Sequence, residues 1–252
     1  MLDLDGTFYL GDTLLPGAKQ FADAAHAAGA EYLFLTNNSS KSSADYVRKL
    51  ARLGVNVPPR HVLTSGDAAL SYMQAHFDTK DLLLIGTSSL CDQFAAAGYR
   101  VDAAHPQAVL LGFDTALDYA KLTKLCNAVR AGLPYIATHP DFNCPVDGGF
   151  IPDIGATIAY VKASAGREPD VVIGKPNGAI AEAAAQRFGV PLESIAMVGD
   201  RLYTDIALGA CGVATVLVLS GETALADLAH STVQPDFIFD DLAHLEDAMR
   251  GN

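Results

Sequence analysis

Basic residues are scarce in this chain: 17 Lys and Arg stand against 29 Asp and Glu, for a formal net charge of -12. A surface of that sign lacks the clustered Lys and Arg that a nucleic-acid polymer or an anionic membrane would need. Any phosphate the protein binds must be held by a local device. Cysteine is also sparse. Cys91, Cys126, Cys144 and Cys211 lie far apart with no C-x-x-C pair, so they read as reduced thiols, mostly in the core, with no chemistry assigned. Long hydrophobic runs are missing, and stretches such as 82–85 and 214–219 are far too short to span a bilayer. No charged n-region precedes an apolar h-region, so no signal peptide is expected and the chain reads as soluble and cytoplasmic. Low-complexity tracts and internal repeats are absent as well.

What the chain does have is apolar content, 50% of 252 residues, enough for one large domain or for a core with an insert. Short apolar runs alternate with longer amphipathic stretches, the pattern of βαβ units around a parallel sheet. Strands are expected at 31–36, 171–174, 194–200, 214–219 and 236–239. The run Ser42-Ser-Ala-Asp45 resembles a capping box opening a helix that Gly54 ends. Further helices are expected at 179–188, closed by Gly189, and from about Asp205. Aliphatic and β-branched strands without polar alternation fit burial on both faces. Between about 79 and 169 the same grammar runs again, with strands at 82–85, 109–113 and 135–137 and helices at 90–97, 118–131 and 154–165. The expected organisation is a core from 1–78 and 170–252, with 79–169 inserted as an α/β lobe. Only Met1 and Leu2 precede Asp3, which predicts further apolar residues upstream of Met1 in the natural protein.

Polar residues cluster just past the expected strands. Asp3-Leu-Asp5-Gly-Thr7 follows the first apolar residues, and Thr36 ends Leu-Phe-Leu-Thr-Asn-Asn. Lys175 follows Val-Val-Ile-Gly, while Asp200 ends Ala-Met-Val-Gly-Asp with Asp205 five residues on. In an open parallel sheet the strand C-termini share one edge, where ligands bind. The residue types suit phosphoryl transfer. One carboxylate attacks phosphorus, and a second, two residues on, passes a proton to the leaving oxygen and later takes one from water. Repulsion between carboxylate and phosphate calls for a hard cation such as Mg2+, with Asp200 as a further ligand and Asp205 completing the shell through water or holding Lys175. Lys175, with the hydroxyl and backbone amides at Thr36 and Asn37, would stabilise charge on the equatorial oxygens. Singly, each segment reads as well as an Asp-Gly turn, a helix-capping turn, a strand exit with a solvated lysine, or a turn. An EF-hand is excluded, because its glycine falls at loop position six and not four. Four such segments in order, each after an apolar run, favour the catalytic reading.

These segments, with Gly174-Lys-Pro-Asn177 and Gly199-Asp-Arg-Leu-Tyr-Thr-Asp205, resemble the four motifs of the haloacid dehalogenase superfamily. More narrowly they resemble its class IIA branch of NagD-type and 4-nitrophenyl phosphatases. The stretch from Met197 to Ile206, running on to Thr223, is the most specific. The resemblance implies a doubly wound, Rossmann-like core with an inserted α/β cap domain. It also implies Asp3 as nucleophile, Asp5 as acid and base, and Mg2+ on Asp3, the Asp5 carbonyl and Asp200. Thr36, Asn37 and Lys175 would contact the phosphate, with Asp205 behind them. The expected partner is a small phosphorylated metabolite, and a homodimer is left open. Segment 138–152, rich in turn formers, is the candidate for substrate selection, though His139 and Asp141 within it read first as turn or packing residues. A receiver domain is too short by about half, and a dehalogenase would lack Asp5. A phosphomutase, or a phosphate sensor without turnover, stays as the alternative.

Overall fold

The computed structural model describes residues 1–146 and 148–251. Its internal contacts divide the chain into two units. Met1–Thr36, Tyr46–Leu63 and Lys175–Asn252 form the first, and Asn37–Asp45 with Thr64–Gly174 the second.

A very short strand organises the first unit. Leu2 bridges in parallel to Phe34 on one side and to Val198 on the other. The Leu2 N–H donates to Leu33 O at 2.8 Å, and Leu35 N–H donates to Leu2 O at 2.9 Å. On the opposite edge Asp3 N–H donates to Val198 O, and Val198 N–H to Met1 O, both at 2.9 Å. From there the sheet grows in two directions. Phe34–Thr36 pairs with Val62–Thr64 on one side. On the other, Ala196–Gly199 runs parallel to Ala214–Val218, which runs parallel to Phe237–Phe239. Chain order thus moves outward both ways from residues 1–3. That is a doubly wound sheet with its switch point at the first strand, where ligands bind beyond the strand C-termini.

Packing holds that strand in place. Leu2 and Leu4 sit in one buried cluster with Phe8, Phe34, Leu50, Val198 and Val216. The Phe8 and Phe34 rings meet edge-on at 4.6 Å. Because side chains alternate, the core grip on Leu2 and Leu4 turns Asp3 away from that cluster. The Ala18–Ala27 helix packs on Leu242–Met249, with Phe21, Leu242 and Leu245 in the same core.

In the second unit a four-stranded sheet takes the order Val171–Val172, Tyr135–Ala137, Ala108–Leu111, Leu82–Ile85, all parallel. Helices Ser65–His76, Ser88–Ala96, Tyr119–Arg130 and Ile154–Ala165 accompany it, with an antiparallel hairpin of Asn143–Val146 and Gly149–Pro152. Its core holds Leu83, Val109, Leu111, Leu125, Val129, Tyr135 and Val161. Asp147, inside segment 138–152, lies outside the described residues.

Several expectations change. Val171–Val172 pairs with Tyr135–Ala137 and so joins the second sheet, not the first. Ser65–His76 belongs with the second unit, capped by Thr64 and Asp67 in a reciprocal box. The helix expected from Asp205 is a 3-10 turn over Ile206–Cys211. The Ser42–Asp45 box forms as read, with Ser42 N–H donating to Asp45 Oδ2 at 2.9 Å and Asp45 N–H to Ser42 Oγ at 3.3 Å. Among the described residues no helix is long and apolar enough to cross a membrane.

The Ala18–Ala27 helix starts from Gly17 at φ 76°, and a Cβ there would run into the backbone of Ala243, with Leu242 C only 2.6 Å away. Left-handed backbone costs a non-glycine residue about 1–2 kcal/mol, and the backbone overlap adds to it. Gly17→Ala should therefore lower stability by more than about 2 kcal/mol in urea unfolding. A loss under about 1 kcal/mol would show that the two helices can slide apart without cost.

Candidate active site

Three elements of the first sheet deliver carboxylates or hydroxyls to its C-terminal edge. Asp3 closes the central strand, Thr36 ends Phe34–Thr36, and Asp200 follows Ala196–Gly199. Lys175 arrives differently from the expectation. The strand before it lies in the second unit's sheet, so Lys175 comes in on the segment leading to the Gly178–Phe188 helix. Asp205 stands at the start of the Ile206–Cys211 turn.

These side chains meet. The Lys175 ammonium donates to Asp3 Oδ1 at 2.5 Å and to Asp205 Oδ1 at 2.6 Å, with Leu35 O at 3.4 Å. Asp205 Oδ2 accepts from Arg201 N–H at 3.1 Å. Asp200 is held from two other sides. Its Oδ1 accepts from the Thr7 hydroxyl at 3.2 Å and its Oδ2 from Glu222 N–H at 2.7 Å. Gly6, at φ 93°, and Gly221 leave room for that carboxylate, since a Cβ on either would collide with it. Asp3, Thr36, Lys175, Asp200 and Asp205 are all buried. Asp5 is half-buried and accepts from the Tyr9 hydroxyl at 3.5 Å.

Oxygens of Asp3, Asp200 and Asp205 lie within 4.8 Å of one another. Burial pushes Asp200 above the ordinary carboxylate range, and the charge of Asp3 adds to it. Burial pushes Asp205 up as well, with Lys175 opposing and Asp3 and Asp200 reinforcing. Burial alone would pull Lys175 down, but the charges of Asp205 and Asp3 and the bonds to both outweigh it, and its affinity for the proton rises. Three buried carboxylates therefore face one buried ammonium and the Arg201 guanidinium, which is itself paired with Glu222, so negative charge is in surplus. A hard divalent cation fits that surplus and that all-oxygen donor set.

Asn37 is the one expected site residue in the second unit. There its amide donates to Asp141 Oδ1 at 3.1 Å and Oδ2 at 3.3 Å. His139 is fully buried, with Nδ1 hydrogen-bonded to the Thr138 hydroxyl and Nε2 to Asp153 Oδ1, both at 3.0 Å. His139 is thus buried and hydrogen-bonded through both ring nitrogens, and Asp141 bonds Asn37. Sequence reading also missed Thr7 and the Glu222 amide. Thr7 lay inside the quoted D-x-D-G-T motif, which was the available signal, while a backbone N–H has no signature in sequence.

Comparison with known proteins agrees with this geometry. Residues 1–100 match the haloacid dehalogenase-like hydrolase family, and 172–245 match a second family of HAD-like hydrolases. An acid sugar phosphatase of Staphylococcus aureus (strain MRSA252) is 34% identical over 244 residues, 96% of this chain and 94% of that one. The structure of a 4-nitrophenylphosphatase from Thermotoga maritima superposes with a TM-score of 0.95 at 46% identity, covering 98% of this chain and 95% of that one. A glycerol phosphate phosphatase from Mycobacterium tuberculosis, solved in complex with magnesium, gives a TM-score of 0.88 at 29% identity, over 98% and 76% of the two chains. Motifs, topology and relatives agree, and the chain belongs to the haloacid dehalogenase-like hydrolases, in their class IIA branch of NagD-type and 4-nitrophenyl phosphatases.

Proposed function

We propose that the protein is a Mg2+-dependent phosphatase that hydrolyses phosphomonoesters of small molecules through an aspartyl-phosphate on Asp3. The observation that carries this reading is the buried surplus of negative charge, three carboxylates against Lys175, at the switch point of the sheet. Relatives named as phosphatases support it.

In this reading Asp3 attacks phosphorus with a carboxylate oxygen while the bond from phosphorus to the ester oxygen breaks. Asp5 gives that oxygen its proton, and the alcohol leaves. Water then attacks the phosphoryl group, Asp5 takes its proton, and inorganic phosphate departs with Asp3 restored. Mg2+ held by Asp3, the Asp5 carbonyl and Asp200 supplies the positive charge that lets an anionic nucleophile approach an anionic substrate. Lys175 holds the Asp3 carboxylate in a fixed orientation before attack and, with Thr36 and Asn37, stabilises charge on the transferred group. Asp205 keeps Lys175 in place. Segment 138–152, with Phe142 and Phe150 exposed, is assigned to choosing the organic part, and the substrate is a small phosphorylated metabolite.

Asp3→Asn should abolish hydrolysis of 4-nitrophenyl phosphate while the chain stays folded by circular dichroism. A variant that keeps more than about a hundredth of wild-type kcat would remove Asp3 as nucleophile, since losing the attacking group costs several orders of magnitude. Asp5→Asn should leave attack on this activated ester possible and slow release of the acyl phosphate, so the phosphorylated chain should accumulate in mass spectra of the quenched enzyme.

Metal removal gives a separate check. Excess EDTA should stop turnover and added Mg2+ restore it. Both raised carboxylates, Asp200 and Asp205, bind protons more tightly folded than unfolded, where their ordinary value is 3.8. Their charge therefore destabilises the metal-free fold progressively as pH rises above that value. Added Mg2+ should raise the melting temperature more at pH 8 than at pH 5. Equal shifts at both pH values would show that the cation does not sit on these carboxylates.

A further inference from the structure

Asp200 is enclosed by the loop that follows the neighbouring strand of its sheet. Past Ala214–Val218 the chain crosses the Asp200 carboxylate so closely that a Cβ on Gly221 would overlap Oδ2. Glu222 N–H donates to that oxygen at 2.7 Å, and Thr223 N–H donates to the Asp200 carbonyl at 3.2 Å. With the Thr7 hydroxyl on Oδ1, each carboxylate oxygen has a donor of its own. The plane of the group is therefore set by where those donors stand. The loop is tied down at two points. The Ser220 hydroxyl donates to Gly6 O at 2.9 Å. The Glu222 side chain reaches the turn after Asp200, where the Tyr203 hydroxyl donates to its Oε1 at 2.9 Å. Arg201 Nε stands 2.9 Å from its Oε2, an ion pair and not an aligned hydrogen bond. That turn is a firm anchor, because Arg201 N–H donates to Asp205 Oδ2 at 3.1 Å and Asp205 N–H to Arg201 O at 3.0 Å.

Tyr203 and Glu222 are exposed, and contacts of that kind add little to stability. Their placement gives them another use. One residue carries both the N–H that orients Asp200 and the carboxylate that fixes where that N–H stands. We propose that Glu222 is a positioning residue for the cation site: its side chain, held by Tyr203 and Arg201, keeps the 220–223 loop closed over Asp200 and presets that carboxylate for Mg2+. This inference rests on the reading above of Asp3, the Asp5 carbonyl and Asp200 as Mg2+ ligands, and every residue it uses lies in the first unit. Mg2+ demands near-ideal octahedral geometry. A carboxylate free to turn must be ordered when the ion binds, and affinity falls by the cost of ordering it. The rival role for Glu222 is purely electrostatic, a negative charge that attracts the cation whatever its hydrogen bonds. The two roles differ in what an uncharged side chain of the same shape does.

The test titrates Mg2+ into the metal-free full chain, read by calorimetry and by the rise in melting temperature, and needs no turnover. Glu222→Ala should weaken Mg2+ binding about fivefold. Loss of a direct partner of a metal ligand costs roughly 10–100-fold, and this side chain acts one step further out, through its own backbone N–H. Glu222→Gln keeps an oxygen for the Tyr203 hydroxyl and should stay within about twofold of the wild type. Tyr203→Phe changes no charge and should weaken binding about threefold, yet add nothing in the Glu222→Ala background. Should Glu222→Ala not fold, Glu222→Gln with and without Tyr203→Phe keeps the contrast, the added change again weakening binding about threefold. Equal losses in Glu222→Ala and Glu222→Gln would assign the effect to charge and overturn the inference. So would a Tyr203→Phe loss that persists without Glu222, or a lower melting temperature of the metal-free variants with Mg2+ affinity unchanged. A wild-type chain that binds Mg2+ no better than its variants would leave the phosphatase reading standing, provided that Mg2+ still restores turnover. A wild-type chain that binds no Mg2+ and needs none for turnover would overturn both.

Discussion

The first unit depends on one buried ammonium. Lys175 is held between Asp3 and Asp205, and all three are withdrawn from water. Taking those charges out of water costs several kcal/mol each, and only short, well-directed pairing offsets it. Removing the ammonium would leave buried carboxylates uncompensated, at a cost of about 3–5 kcal/mol for a broken buried pair. Even with Lys175 in place the compensation is incomplete, because Asp200 stands in the same cluster. The remaining negative charge is a reason to bind a cation and a reason to be unstable without one. Fold and chemistry therefore constrain the same atoms.

The backbone supports this through the shortest strand in the sheet. Residues 1–3 bond to both neighbours, and Leu2 and Leu4 anchor them in the core. Alternation then fixes where Asp3 points without any further device. The switch point matters because strands leave it in opposite directions, so the loops after them diverge and open a crevice. Asp200, Thr36 and Asp3 reach that crevice from three adjacent strands.

Much of this was legible in the sequence. Asp3, Thr36 and Asp200 were singled out because each lies just past an apolar run, and strand ends are read well from that contrast, while Asp205 was singled out by its place five residues after Asp200. The helices at 118–131 and 154–165 were found because they are long and periodic. Lys175 was identified for an incorrect reason. Val171–Val172 reads like any buried parallel strand, and nothing in its composition says which of two parallel sheets it joins. That choice is set by partners distant in sequence, such as Ile136 and Ala137. The 3-10 turn at Ile206–Cys211 was read as a helix because a short turn and a helix start share the same apolar spacing.

The largest gap concerns Asp141. Turn-forming residues around it made a loop reading natural, and its composition gave no sign of a partner. Its amide partner lies 104 positions away, and a hydrogen bond of that span leaves no local pattern to read. Thr7 shows the same limit from the other direction. It sat within a recognised motif, yet its bond to Asp200 spans 193 positions and only the folded sheet brings the two together. Sequence patterns locate groups that strands deliver to an edge. They do not locate the groups that fix those side chains in rotation, because orientation is set by hydrogen bonds between segments and not by spacing along the chain. In a phosphoryl-transfer site, where positioning supplies much of the catalysis, those orienting residues are where structure adds most to what the motifs already tell.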